Sequence, residues 1–333
     1  MIQSNLGIGP MSSEIIEAVF RISNYYRRQL MLIPSKNQID YRGGYVNNWT
    51  TKQFAEFVNE MRIKYPQSNV LLCRDHCGPG FNGIYNLEDT YNTLEEDIRN
   101  GFDLIHIDFC HFKGSNQERL LETKKAIQHC LELNPKIMLE IGTDENIGSI
   151  FSIPNLIEIQ KEIDFIKTFC NPEFYVVQTG SLVKEINQVG NFNKMFIEKI
   201  SQILKSKGVK LKEHNADYLG TEEIALRQGI VDAMNIAPQL GVIQTMIILK
   251  ECSIYGINFQ AFVDEVYNGG KWKKWLDKNN SNNKFLCSVI AGHYHFSSEN
   301  YKKIINELSK REDIKEKIIN EIMGAINHYE INQ

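Results

Sequence analysis

The sequence predicts an α/β fold, a (β/α)8 TIM barrel with a helical C-terminal appendage. Two observations predict it. Short apolar runs alternate with longer amphipathic stretches eight times over, and several runs end in residues able to do chemistry. Near-continuous apolar runs suit parallel strands buried on both faces. Repeated strand–helix alternation suits a barrel, which gathers polar groups at the carboxyl ends of its strands. Those ends here are Arg74-Asp75-His76, Glu140-Ile-Gly-Thr-Asp144, Val177-Gln178-Thr-Gly and Glu213-His214-Asn215. A doubly wound open sheet is the structural rival by periodicity alone.

The strand candidates, in order, are Leu6–Gly9, Leu30–Pro34, Asn69–Cys73, Leu104–Ile107, Lys136–Ile141, Phe174–Gln178, Val209–Glu213 and Ala233–Ile236. Helices fill the spaces between them. Phe54, Phe57, Val58 and Met61 recur at helical spacing, with Thr50 and Gln53 set for a capping box. Leu87, Tyr91, Leu94 and Ile98 repeat the pattern behind a capping Asn86. Leu240–Tyr255 reads as the eighth helix. Residues 1–256 form the predicted barrel. Residues 257–333 form a mostly helical extension, packed on the barrel or at a subunit interface. Trp272 and Trp275 there suggest a homo-oligomer.

With 333 residues, 42% of them hydrophobic, the chain can bury a large core. A formal net charge of −4 does not favour nucleic acid or an anionic membrane. The seven cysteines are scattered without structural-zinc spacing, which fits a reducing cytoplasm. No run is long and apolar enough for a membrane span, and the start lacks signal-peptide features. Neither a P-loop, a Rossmann fingerprint nor a Gly-x-Ser-x-Gly elbow is present.

Asp75 and His76 end the third strand, before the flexible Gly78-Pro79-Gly80 turn. A neutral imidazole binds divalent metals, and an adjacent carboxylate can move protons. The bland alternative is a capping Asp and a satisfied His. His214, at another strand end of the same face, strengthens the metal reading. Glu140, Gly142 and Asp144 share one face of the fifth strand, where a carboxylate could act as base or ligand. Asp108 ends the fourth strand, where burial would raise its pKa for acid–base work. Ser35, Lys36, Asn37, Gln38 and Arg42 suit a hydroxylated, anionic ligand. The Gln178 amide can hydrogen-bond a sugar hydroxyl. His293-Tyr294-His295 resembles a metal tract, yet packing or a subunit contact is the better reading. On a strand both rings would share a face.

Ordered motifs then carry a family resemblance. They are Ser35-Lys-Asn-Gln38 with Gly43-Gly44-Tyr45, Asp75-His76-x-Gly-Pro79, Gly101-Phe-x-x-Ile-His106-Ile-Asp108, Ile141-Gly-Thr143, Val176-Val-Gln178-x-Gly180 and Glu213-His214-x-x-Asp217-Tyr218. Over roughly residues 5 to 300 the chain resembles the tagatose-bisphosphate aldolase non-catalytic subunit family, which includes ketose-phosphate 4-epimerases. Its relatives are the class II, zinc-dependent ketose-bisphosphate aldolases. The resemblance implies Asp75 as acid/base and His76 and His214 as zinc ligands, with Asp144 near a family Glu position. The third zinc histidine falls at Gln178. Asn235 matches a substrate-binding position. The family's phosphate-contacting Asp-Thr is Ala237-Pro238 here, and its Gly-Gly-Ser is Asn215-Ala216-Asp217.

The expected function is a metal-dependent carbohydrate enzyme acting on a ketose or ketose phosphate. Its chemistry would be retro-aldol/aldol, as epimerase or aldolase. The catalytic candidates are Asp75, Asp108 and Glu140. The rival is a non-catalytic subunit that stabilises an aldolase partner.

Overall fold

The structure is a computed structural model that describes residues 2–143, 155–276 and 280–332, with side chains through residue 330. Eight parallel strands close a barrel. They are β1 (Leu6–Ile8), β2 (Gln29–Leu32), β3 (Asn69–Cys77), β4 (Leu104–Ile107), β5 (Met138–Thr143), β6 (Phe174–Val177), β9 (Lys210–Glu213) and β10 (Ala233–Ile236). Around the barrel the order is β1-β10-β9-β6-β5-β4-β3-β2. A small hairpin, β7 (Val183–Lys184) with β8 (Asn187–Gln188), interrupts the crossover from β6 to β9. Each expected strand is present at its place in the chain, and the open-sheet rival is excluded by closure.

The outer helices are α1 (Ser13–Tyr26), α2 (Thr51–Lys64), α3 (Leu87–Arg99), α4 (Asn116–Leu133), α5 (Leu156–Ile166), α6 (Lys194–Ser206), α7 (Thr221–Ala225) and α8 (Pro238–Tyr255). Local chemistry sets their starts. Thr50 and Gln53 form the capping box of α2, and Asn86 accepts from Glu88 N at the head of α3. Beyond α8 follow α9 (Gln260–Gly269), α10 (Lys284–Ala291), α11 (Glu299–Leu308) and α12 (Ile314–Asn332). The last helix buries Ile318, Ile319, Ile322, Ile326 and Tyr329. Ion pairs Arg21–Glu316 and Lys315–Glu17 tie it to α1.

Side chains alternate along each strand, so the interior stacks in layers. The lower layer is apolar, with Met31, Cys73, Leu104, Phe174 and Ala233 in one cluster. One step towards the carboxyl ends the interior becomes polar at Asp75, His106, Glu140, Lys212 and Asn235, while Ile33 and Val176 stay apolar. Outward-facing Leu72, Ile105, Ile107, Leu139, Ile141, Tyr175 and Leu211 join the shell beneath the helices.

Candidate active site

A departure from regular strand geometry builds one wall of the site. Neighbours on a strand face opposite ways, yet Asp75 and His76 both turn inward. The β3–β4 register shifts between Arg74 and Cys77, and His76 takes the left-handed conformation with φ 45°. The bulge re-aims His76 so that its Nε2 lies 3.9 Å from Asp75 Oδ2. The Phe81 ring stacks on the imidazole at 4.8 Å.

Three imidazoles meet at this point. One ligand atom from each of His76, His106 and His214 falls within 4.8 Å of the others, and the same holds for Asp75, His106, Glu140 and His214. His106 comes from β4 and faces Glu140 across the β4–β5 register. The sequence reading singled out no third histidine, because His106 sits inside the apolar run Leu104–Ile107. The signal was its spacing of two from Asp108, which places both on one face of a strand.

The hydrogen bonds orient the lone pairs inward. His76 Nδ1 lies 2.9 Å from Asp108 Oδ2, leaving Nε2 for the cluster. His106 Nε2 lies 3.0 Å from Gly142 O, and its Nδ1, on the cluster side, accepts from His76 N at 3.2 Å. That carboxylate–imidazole arrangement fixes tautomer and ring direction in metal sites. His76 Nε2 and His214 Nδ1 are 3.2 Å apart, two nitrogens that a shared cation or proton can join. Three imidazole nitrogens with a nearby carboxylate are a donor set suited to a divalent metal.

The carboxylates divide by environment. Burial would raise the Asp75 carboxyl, but His76, His214 and His106 outweigh it and hold it far below the usual range. Asp75 remains 16% exposed at the mouth, 3.4 Å from Asn235 Nδ2. Gly7 makes room for that amide, since a Cβ there would lie 2.2 Å from Asn235 Oδ1. Glu140 is fully enclosed. Burial opposes its charge, but Lys212, His106 and His214 lower it to about 2. Lys212 Nζ is 2.6 Å from Glu140 Oε2, while Oε1 lies 3.2 Å from His214 Nε2.

Several sequence expectations need correction. Asp108 is buried, but its pKa is lowered rather than raised: the His76 hydrogen bond and nearby imidazoles overcome desolvation. It accepts from Thr143 Oγ1 and Cys110 N as well, so it positions His76. Lys36 does not face a ligand. Its ammonium is buried against Asp89 Oδ2 at 2.8 Å and Thr93 Oγ1 at 2.7 Å. Arg42 is exposed and lies over the Tyr41 ring. His293-Tyr294-His295 forms a short 3₁₀ turn rather than a strand, with His293 buried and His295 beside Glu265.

The other candidates line the rim. Ser35 bridges to Asp75 in the sheet, and its N–H donates to Gln38 Oε1 at 2.8 Å. Asn37 is exposed, and its Nδ2 donates to Phe81 O, tying this loop to the ring over His76. Gln178 Oε1 accepts from Gly180 N at 2.8 Å. Asp144 lies outside the described residues.

Comparisons with known proteins agree with this architecture. The family model for D-tagatose-1,6-bisphosphate aldolase subunit GatZ/KbaZ-like proteins matches residues 6–135. A probable tagatose 6 phosphate kinase from Sinorhizobium meliloti 1021 superposes with a TM-score of 0.77 at 17% identity, covering 97% of this chain and 91% of that one. Fructose-bisphosphate aldolase from Campylobacter jejuni gives 0.58 at 12% identity, covering 91% of this chain and 90% of its own. The YdjI aldolase from Escherichia coli K12 gives 0.55 at 12%, covering 92% and 90%. At such identities the structures share the fold, and the matched family supports the resemblance carried by the motifs.

Proposed function

We propose that this chain is a metal-dependent, class II aldolase-like carbohydrate enzyme. It acts on a ketose or ketose phosphate by retro-aldol and aldol steps, as an epimerase or an aldolase. One observation carries the reading: three oriented imidazoles and an ionised Asp75 converge at the carboxyl end of the barrel. Barrel enzymes keep their chemistry at that end. The aldolase names among the matched family and the structural neighbours agree with it.

His76, His106 and His214 would hold the divalent metal, and zinc suits three imidazoles with an open position. When bound, it polarises a carbonyl and stabilises the charge that develops there. Glu140 is the weaker ligand candidate, because Lys212 already neutralises one of its oxygens. Asp75 removes the proton from the hydroxyl on the carbon that leaves in the retro-aldol step, and returns it on recombination. Recombination on the opposite face inverts that centre; release of the aldehyde, with the proton held by Asp75 passed to the carbon left behind, is cleavage. Asn235 orients Asp75. Ser35, Asn37, Gln38 and Gln178 form the hydroxyl-binding rim.

The second reading is a non-catalytic subunit that stabilises an aldolase partner, favoured by the word subunit in the matched family's description. Its ground in the sequence was a missing third histidine; His106 weakens that ground. One experiment separates the readings. Protein loaded with zinc is incubated with ketoses and ketose phosphates and followed by carbon NMR. A new epimer or a triose is expected, and it should vanish in Asp75→Asn. An unchanged panel with stoichiometric metal bound rules out the enzyme.

A further inference from the structure

The rim above β9 and β10 holds a feature that this chemistry does not use. In α/β barrels the loops after the last two strands, together with a helix N-terminus, frequently bind phosphate. The free N–H groups and dipole of a helix's first turn are the cause. Here those groups are already satisfied. Asp217, only 1% exposed, sets Oδ1 2.9 Å from Ala237 N and 2.8 Å from Gln239 N. Between them Pro238 has no N–H to offer. Leu240 N donates to Ala237 O at 3.1 Å. The opening turn of α8 therefore has no donor left for an anion.

The loop that carries Asp217 is clamped in place. Tyr218 N donates to Gln239 Oε1 at 2.8 Å. From α12, the buried Tyr329 hydroxyl lies 2.8 Å from Ala216 O and 2.9 Å from Gln239 Oε1. It also accepts from Leu219 N at 3.3 Å. The C-terminal helix thus holds a buried carboxyl side chain, its pKa pushed up to about 7 by burial, where a barrel of this kind would place a phosphate.

We propose that the Asp217 side chain, by occupying the N–H groups of Ala237 and Gln239, closes this quadrant, so that the ligand end lying over β9 and β10 carries no phosphate. The proposal rests on the ketose reading above and narrows it. A ketose bisphosphate carries phosphate at both ends. With its carbonyl at the histidine cluster, one phosphate meets a turn whose N–H donors are already taken, in either orientation. The substrate class is then a free ketose or a ketose monophosphate, not the bisphosphate in the matched family's name.

Two measurements on the zinc-loaded, full-length protein test this. The first titrates fructose, fructose 6-phosphate and fructose 1,6-bisphosphate calorimetrically. The bisphosphate should bind about tenfold or more weakly than the better of the other two. The second follows the Ala237 amide in ¹⁵N-alanine-labelled protein, which inorganic phosphate and the bisphosphate should leave unmoved. A bisphosphate that binds as tightly as the others, or a phosphate-dependent shift of Ala237, overturns the proposal. If no ketose binds, the ketose reading and the substrate class fall together. The Ala237 amide still decides the closed cradle: unmoved supports it, shifted overturns it.

Discussion

Arg74 and Asp75 are consecutive residues on β3, and they anchor two polar clusters of opposite character. Arg74 faces the helices. Its guanidinium makes a fork with Asp97 at 2.6 Å on both arms and reaches Pro34 O and Ile39 O at 3.0 and 2.7 Å. Lys36, Asp89, Asp40 and Thr93 close a similar knot nearby. Asp75 faces the barrel axis among groups set farther apart. His214 Nε2 lies 3.6 Å and His106 Nδ1 3.8 Å from its Oδ1. The closed clusters consume their own charges at hydrogen-bond distance. The open one leaves several donors and acceptors around a shared point, the condition for binding something that the chain does not itself supply. Residue type does not distinguish them; spacing does.

Predictions that break the open cluster should strike activity, and those that break the closed ones should strike stability. Asp75→Asn carries the largest expected effect on turnover, a loss of about a hundred- to ten-thousand-fold. Its circular-dichroism spectrum should match the parent chain; full turnover in this variant would remove Asp75 from the mechanism. Asp97→Ala leaves Arg74 buried and unpaired and should cost about 3–5 kcal/mol in a denaturant titration. The metal content of the folded fraction should not change.

Glu140 belongs to both regimes, being buried and ion-paired yet turned to the cluster. Its folded pKa of about 2 lies below the ordinary 4.5. The stability it contributes is therefore complete above about pH 4.5 and fades as the pH falls towards 2. In the metal-free protein, Glu140→Gln should cost about 3 kcal/mol at neutral pH, with Lys212 left unpaired. The gap should narrow on acidification; a gap independent of pH contradicts the assignment. Asp108→Asn removes the partner of His76 Nδ1 and should weaken metal affinity by about 10- to 100-fold, read by competition with a chelator. Arg42→Ala, at the exposed rim, should change stability by less than about 0.5 kcal/mol. A large loss of ligand affinity in that variant would restore Arg42 as a substrate contact.

The strands were legible because parallel strands buried on both faces read as apolar runs, and Leu104–Ile107 and Ala233–Ile236 show this directly. The cap at Thr50 was legible because capping chemistry is local. Asp75, His76 and His214 were found because polar residues after apolar runs mark strand ends. His106 stood in a family motif but was given no ligand role, because it lies within such a run, where only the inward direction of its ring gives it one. Lys36 misled for the converse reason. Its type suits an anionic ligand, but its partners Asp89 and Thr93 are 53 and 57 residues away on α3.

By itself the sequence determined the order of strands and helices and the residue types presented at the mouth. These depend on local periodicity and propensity, which act over a few residues. Tertiary structure decided which polar groups are consumed and which remain to act. Barrel closure brings His76, His106 and His214, from β3, β4 and the end of β9, to one point. Folding back of α12 pins Asp217 over α8. Both outcomes depend on contacts between residues distant in the chain, and electrostatic and hydrogen-bond energies depend on separation in space, which no local pattern encodes.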